Sequence, residues 1–473
     1  MADSTINELE NLDSVANNDE LVLWDTSASG TKKATVSNVV TPVATSVATS
    51  AINALDVSSV GGSGKYISAI SETNGKISAT ATSFGSVASG NAYPVTGGSV
   101  YSAIGAKTGL LYKTPRWLRF SASNKKSLVI KAGTIILVGS NIYEATSDTT
   151  YSMGSSLTAG TEYFVYLNYS SGSWTVTCST TYSADTTTSR YIGRFHTLCA
   201  AVTTNAVDNM LIPASPNSGL VAGGNILVKS YDSNKDSDFY NLYNKTIVSV
   251  ETGTYYDVVT CQHILAGYSD GDILPESVMC LSFGVNTLHK DAMVYDKDTD
   301  MFIDVYLQSG TGLNTKSVYN ATHTVSRAGI CHQEDMRQVG KKLLNDYVFS
   351  SAAIGGNECT NITGSSDKGT VGGHVDTADK RMVSAIGCEE MAGYLWQWLD
   401  EFPYCNTTSG WQTIDKQNLF GQQYWNTHQL VAGGSWGSGS DCGSRCRGSD
   451  YNRPTGHAVI GSRGSSRAVY GVQ

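Results

Sequence analysis

Charged residues are scarce: Asp, Glu, Lys and Arg make up 15% of the chain, against roughly 25% in an average soluble protein. Proline is scarcer still, with 8 in 473 residues. No stretch of eighteen apolar residues occurs, which excludes a membrane-spanning helix. Met1-Ala2-Asp3 opens onto acidic residues instead of a basic region and an apolar core, so no secretory leader is read and a soluble chain made in a cytoplasm is expected. The ten cysteines include no C-x-x-C pair, which speaks against a zinc site or a disulfide framework. Most are expected to be small buried hydrophobes. The net charge of −9 disfavours nucleic acid as a partner.

Glycine (48 residues), tyrosine (26), serine and threonine are plentiful. Turn glycines beside Tyr- and Thr-bearing strands suit β-rich fibrous or outward-facing domains. At 473 residues the chain exceeds what one hydrophobic core usually serves, so two to four domains are expected. The charge is unevenly spread. Residues 1–30 hold seven acids and no Lys or Arg, whereas residues 431–473 hold five Arg against Asp441 and Asp450, a local +3. The two ends are expected to face different partners.

Residues 5–36 pair a short acidic segment with the strand-like LVLW, the turn TSASG and a second strand-like run; the pattern resembles the N-terminal attachment module of phage tail fibres. Val36, Val40, Val43, Val47, Ile52 and Leu55 recur at spacings of three to five, a thin seam that three parallel chains could pack. Residues 1–60 are therefore read as an attachment module with a short trimerisation seam, and 61–115 as a Gly/Ser-rich collar or linker. Strand signals repeat through 116–215 (WLRFSA, SLVIKAGTIILV, NIYEA, TEYFVYLNY, SWTVTC, YIGRF), which predicts a small antiparallel β domain. From 216 onward strands continue in TIVSVE, YYDVVT, AMVYD and FIDVYL. Two helical patterns join them. One places Met336, Val339, Leu343, Leu344 and Tyr347 on a stripe, and the other, Cys388 to Phe402, groups Met391, Leu395, Trp398 and Leu399. The fold class for 216–473 is α+β.

The final segment, Val431 to Gln473, is a run of small polar residues punctuated by Trp436, Cys442, Cys446, Ile460 and the arginines Arg445, Arg447, Arg463 and Arg467. Gly, Ser and Asp alone would leave a disordered tail. The recurring large residues favour an ordered frame carrying a permissive surface.

DGDILPESV, AMVYDKDTDMFIDVYLQSG, GKKLLNDYVFSSAA, GGHVDTADKRMVSAIGCEEMAGYLWQWL, GGSW and IGSRGSSR occur in this order. Together they resemble the variable proteins of diversity-generating retroelements, with phage tropism determinants as the nearest kind. The resemblance covers about 216–473. It implies a C-type-lectin-like domain, in the branch shared with formylglycine-generating enzymes, preceded by β-rich fibre domains in an elongated homotrimer. It further implies a non-enzymatic receptor-binding tail-fibre protein of a virion, joined to tail or baseplate by its N-terminus. Its C-terminal domain would meet a bacterial surface receptor, with no nucleic acid and no membrane insertion.

In such proteins adenine-directed mutagenesis varies asparagine codons and cannot reach Lys, Glu, Gln, Met or Trp. Between Ser435 and Val459 none of these occurs except Trp436, at the GGxW position. Within a variable region of 431–470, the candidate receptor-binding positions are Ser435, Gly437, Ser438, Asp441, Gly448, Asp450, Tyr451, Asn452, Pro454, Thr455, Gly456, His457 and Val459. Tyr451 is the expected aromatic anchor. Trp436, Arg445, Ile460 and Arg463 are assigned to the scaffold, and Trp436, Ile460 and the helix ending at Phe402 are expected to carry the stability.

Rival readings use the same residues. Cys442 and Cys446 could form the redox pair of a formylglycine-generating-type cysteine oxidase, but the C-x3-C spacing departs from that group's C-x4-C; a purely structural fibre protein is the other alternative. A calcium-dependent sugar lectin lacks its Glu-Pro-Asn and Trp-Asn-Asp signatures. DSNKDSD (232–238) and DKDTD (296–300) are read as solvated turns that leave room for a structural calcium ion, since the first has Ser237 and Tyr243 where an EF-hand loop needs Gly and Glu. No cofactor is expected. His374 and Asp376 lack an accompanying nucleophile, and the five N-x-S/T sequons carry no glycan argument without a secretory signal.

Overall fold

The computed structural model describes residues 20–25, 30–35, 65–73, 76–83, 110–111, 115–213, 220–229, 242–253, 256–362, 374–375, 377, 380–403, 411–413, 422–424 and 428–470. The Val36–Leu55 seam, the 232–238 loop, Asp376 and Cys405 lie outside the described residues. The chain divides into two compact units, Met1–Ala103 and Ile104–Gln473.

In the first unit, Glu20–Asp25 pairs antiparallel with Gly30–Thr35, so LVLW and the run after TSASG form the two strands read from the sequence. Lys65–Thr73 pairs with Lys76–Ser83. The stretch read as a collar or linker therefore contains a hairpin. Asn74-Gly75 between its strands is a strong hairpin signal that the surrounding Gly/Ser content obscures.

In the second unit every strand read between 116 and 304 appears. One sheet runs, in spatial order, through Ser173–Ser179, Glu162–Ser170, Ser189–His196, Met279–Cys280, Phe283–Gly284 and Val469–Tyr470. The chain's last strand thus completes a sheet begun 300 residues earlier, and Tyr470 Oη donates to Asp300 (2.6 Å) beside it. The underlying core joins Trp117, Leu128, Val165 and Phe195 to Ile273, Phe283 and Phe302. Each such large side chain, fully buried, contributes about 1.5–3 kcal/mol.

A second core holds Leu274, Val294, Ile303, Phe349, Leu399 and Ala432. Over it lie two four-stranded sheets. The first is ordered Met293–Asp296, Met301–Asp304, Gly464–Arg467, Lys342–Leu343; the second Gly443–Gly448, Val431–Gly433, Trp396–Trp398, Ile460–Ser462. In the second sheet Trp396–Trp398 and Ile460–Ser462 run parallel. A further sheet, Val207–Pro213, Tyr256–Gln262, Leu242–Glu251 and Asn225–Lys229, is antiparallel throughout.

Both helical expectations need correction. The first stripe is split into α1 (Gly329–Gln338) and α2 (Asp346–Ala352), separated by the strand Lys342–Leu343. Gly340 at φ +80° ends the first helix, and Asn345 accepts the Val348 N–H to start the second. Met336, Val339, Leu343 and Leu344 are buried, but Tyr347 is exposed. The second pattern is not a helix. Glu390 sits at φ +58°, Trp396–Trp398 is an inner strand, and Phe402 is 43% exposed. Trp398 and Leu399 do carry stability, from a strand and the loop after it, both at 0% exposure.

Candidate functional site

The GGSW motif has a local physical cause. Gly433 (φ +92°) and Gly434 (φ +81°) both adopt left-handed backbone. A Cβ at Gly433 would meet the Met391 carbonyl at 2.5 Å, and one at Gly434 the Cys442 sulfur at 3.0 Å. Only glycine fits both demands. Trp436 then packs half-buried against the cluster of Leu307, Ile362, Met382, Tyr394 and Leu395. Its N–H donates to Tyr394 O at 3.0 Å, and its carbonyl accepts from Asn361 Nδ2.

Beyond Trp436 the backbone is pinned repeatedly to parts of the chain remote in sequence. Gln429 N–H donates to Tyr451 O (3.0 Å), Ser326 N–H to His457 O (2.9 Å) and Trp396 N–H to Val459 O (3.0 Å). Bridges join His428 to Asn452 and Ala328 to Gly456. Thr455 N–H closes a turn on Asn452 O (3.0 Å). These bonds use main-chain atoms and do not depend on the side chains at those positions, except at Gly456, where a Cβ would meet the Ser326 carbonyl oxygen at 2.5 Å and the backbone would have to shift.

Beneath them lies a buried polar frame. Arg463, 1% exposed, donates to the carbonyls of Asp304 (2.7 Å), Val305 (2.6 Å) and Glu389 and to Gln397 Oε1 (3.1 Å). Gln397 Nε2 in turn donates to Glu390 O (3.1 Å) and Met391 O (2.9 Å). Burial depresses the Arg463 pKa; an arginine stays charged nonetheless. Lys341 bridges Asp291 (2.5 Å) and Asp304 (2.6 Å) nearby. Sequence reasoning missed Gln397, although an amide between two tryptophans in LWQWL is itself a sign of a buried hydrogen-bonding role.

The candidate positions sort by exposure. Gly437, Asp441, Asp450, Pro454, Thr455 and Gly456 are exposed, and Ser438, Gly448, Tyr451, Asn452, His457 and Val459 half-buried. Ser435 is different: it is 6% exposed, bridged to Tyr394, and belongs to the frame. Tyr451 is held edge-on against Trp398 (6.2 Å, 84°) and His457 (4.8 Å, 76°), so the expected anchor is also a packing residue.

Among the scaffold assignments, Ile460 and Arg463 are buried but Arg445 is exposed. It lines a cleft of about 390 Å³ with Asn209, Met210, Val258, Glu358 and Cys359. Arg447 holds the frame instead. Its guanidinium donates to Asp346 Oδ1 (2.5 Å), Ser350 Oγ (2.8 Å) and the carbonyls of Ser444 (2.8 Å) and Cys446 (2.9 Å). The pairing of Ala432 with Arg447 and of Gly433 with Gly443 forces Ser444–Cys446 out as a bulge. Glu358, also missed from the sequence, accepts the Ser444 N–H at 2.9 Å.

The thiols do not resemble an activated pair. Cys442 and Cys446 are both free. Cys442 donates to Ser435 O (3.2 Å), burial pushes its pKa up to about 12, and burial also raises that of Cys446. A thiolate nucleophile requires the opposite shift. The 296–300 loop is the turn between Met293–Asp296 and Met301–Asp304. Asp296 accepts from Thr299 Oγ1 (2.9 Å), and Asp300 from the hydroxyls of Tyr295 (2.9 Å) and Tyr470 (2.6 Å). Among the described residues no cluster of three or more His, Cys, Asp or Glu could hold a metal ion. His374 Nδ1–H donates to the Glu390 carboxylate, next to Tyr394.

Solved structures of known proteins match the fold. The Major Tropism Determinant U1 Variant superposes with a TM-score of 0.57 at 22% identity, covering 80% of this chain and 89% of the other. The chain has the Major Tropism Determinant fold. The M1 Variant matches similarly, with a TM-score of 0.56, 23% identity and coverage of 76% and 86%. Residues 118–219 match the family described as the Mtd second domain. The tail fiber receptor-binding protein of Bordetella phage BPP-1 is 26% identical over 368 residues, 76% of this chain and 84% of that protein. The chain is therefore similar to phage tropism determinants in sequence as well as in fold. It is β-rich with few helices, as that fold requires, and no helix among the described residues is long and apolar enough to cross a membrane.

Proposed function

We propose that this chain is a phage receptor-binding tail-fibre protein, which attaches the virion to a bacterial surface receptor through its C-terminal, lectin-like surface. One observation carries the reading. Apart from the buried Cys442 and Gly443, residues 437–459 are exposed or half-buried on a backbone fixed by main-chain bonds and by Arg463, Arg447 and Ile460. Such a surface can exchange its side chains without refolding, as antibody loops do with a similar mixture of Tyr, Ser, Gly and Asn. The tropism-determinant relatives support it.

In this proposal Gly437, Ser438, Asp441, Gly448, Asp450, Tyr451, Asn452, Pro454, Thr455, Gly456, His457 and Val459 form the contact surface, varied by a diversity-generating retroelement. The protein acts as a homotrimer without catalysis. Residues 1–60 attach it to the tail or baseplate, 61–115 form the collar, 116–215 a small β domain and 216–473 the receptor-binding head. Three copies per tip and several fibres per particle would turn weak contacts into firm adhesion. Light scattering tests the assembly: a mass of three chains is expected, and a monomer would remove the avidity argument. Sibling sequences from one phage population test the surface: their differences should fall on these twelve positions and spare Ser435, Trp436 and Arg463.

A further inference from the structure

We propose that Cys359 and Cys442 are a disulfide-forming pair, closed by a low-molecular-weight disulfide of the glutathione or cystine type once the protein leaves a reducing compartment. The inference does not depend on the receptor-binding reading.

The backbone brings the two residues together. Cys359 N–H donates to Cys442 O at 2.8 Å, and next to it the Glu358 carboxylate accepts the Ser444 N–H at 2.9 Å. The segments 358–359 and 442–444 therefore run side by side. Cys359 itself turns left-handed (φ +55°), so the 358–359 segment bends where it meets Cys442, and the direct backbone bond between the two residues keeps their Cα atoms within the roughly 4.4–6.8 Å that a disulfide spans. Cys359 and Cys446 both lie close enough to Cys442 for their charges to act on it.

The two thiols differ in access. Cys359 is exposed and Cys442 is 3% exposed. The order of steps follows. The Cys359 thiolate attacks one sulfur of the small disulfide RSSR, forming a mixed Cys359–S–SR bond and releasing RS⁻, which takes a proton. Cys442 then gives its proton to solvent and attacks the Cys359 sulfur, expelling the second RS⁻. Two cysteine thiols are oxidised and one RSSR is reduced to two RSH. The buried thiol makes the second step the slow one. The product would tie the root of the 443–448 strand to a segment outside the variable region, and leave the exposed side chains from 450 to 457 untouched.

The test uses the full chain, reduced and then incubated with oxidised glutathione at mildly alkaline pH. Free thiols should fall by two, after transient glutathionylation, and a non-reduced peptide map should contain a fragment linking Cys359 to Cys442. The melting temperature of the oxidised protein should exceed that of the reduced protein. Cys359→Ser alters an exposed side chain and should fold; it should show neither the link nor the shift. A Cys442–Cys446 link, a lasting glutathione adduct on Cys359, or an unchanged thiol count would each overturn the proposal.

Discussion

Replacing Arg463 with alanine should strongly destabilise the head while touching none of its contact surface. The guanidinium serves four acceptors: the carbonyls of Asp304, Val305 and Glu389, and Gln397 Oε1. Each acceptor left buried without a donor costs about 1–3 kcal/mol. Water entering the vacated space can satisfy some of them; if two remain orphaned, the loss is about 2–6 kcal/mol. Domains of this kind are stable by only about 5–15 kcal/mol, so the substitution removes a large share. Arg463→Lys should lose less, about 2 kcal/mol, because one ammonium offers three donors without the planar fork. Urea titration followed by tryptophan fluorescence gives both numbers. If Arg463→Ala shifted stability by less than about 1 kcal/mol, the buried arginine would not be what holds the Trp396–Trp398 and Ile460–Ser462 strands in place, and the frame argument would fail.

Other substitutions separate frame from surface. Tyr451→Phe keeps the edge-on contact with Trp398 and should leave the melting temperature unchanged, whereas Tyr451→Ala should cost about 1–2 kcal/mol; equal values for the two would show that the ring packs on nothing. Asn345→Ala removes the cap on α2 and should cost about 1 kcal/mol by chemical denaturation. His332 is buried, and burial lowers its pKa to about 4. The unfolded chain binds this proton near pH 6.5 and the folded chain does not. The stability tied to this group is therefore complete above pH 6.5 and falls as pH drops towards 4. His332→Asn should flatten the stability-versus-pH slope in that window by about 1.4 kcal/mol per pH unit, and an identical slope would place the ring in contact with solvent.

The strands between 116 and 304 were legible because they alternate between turn residues, and the pairing of Glu162–Ser170 with Ser173–Ser179 is local. Cys388–Phe402 misled because its apolar residues face the core in several directions, and helical and buried-strand patterns then look alike. Trp396–Trp398 becomes a strand only because Val431–Gly433 and Ile460–Ser462 flank it, partners more than thirty residues away. The candidate surface was readable as a stretch lacking Lys, Glu, Gln and Met. The inward turn of Ser435 was not, since it depends on left-handed Gly433 and Gly434. Arg445 and Arg447 stand two apart and cannot be told apart by type; the bulge at 444–446 sends one outward and lets the other reach Asp346 and Ser350.

The most direct measurement is adsorption to the host by particles carrying Asp441, Asp450, Pro454 and Thr455 replaced together by alanine, with the melting temperature of the same variant measured in parallel. All four are exposed. Adsorption should be lost while the melting temperature stays within a degree or two of the parent. Normal adsorption at unchanged stability would place host recognition elsewhere on the molecule and contradict the account.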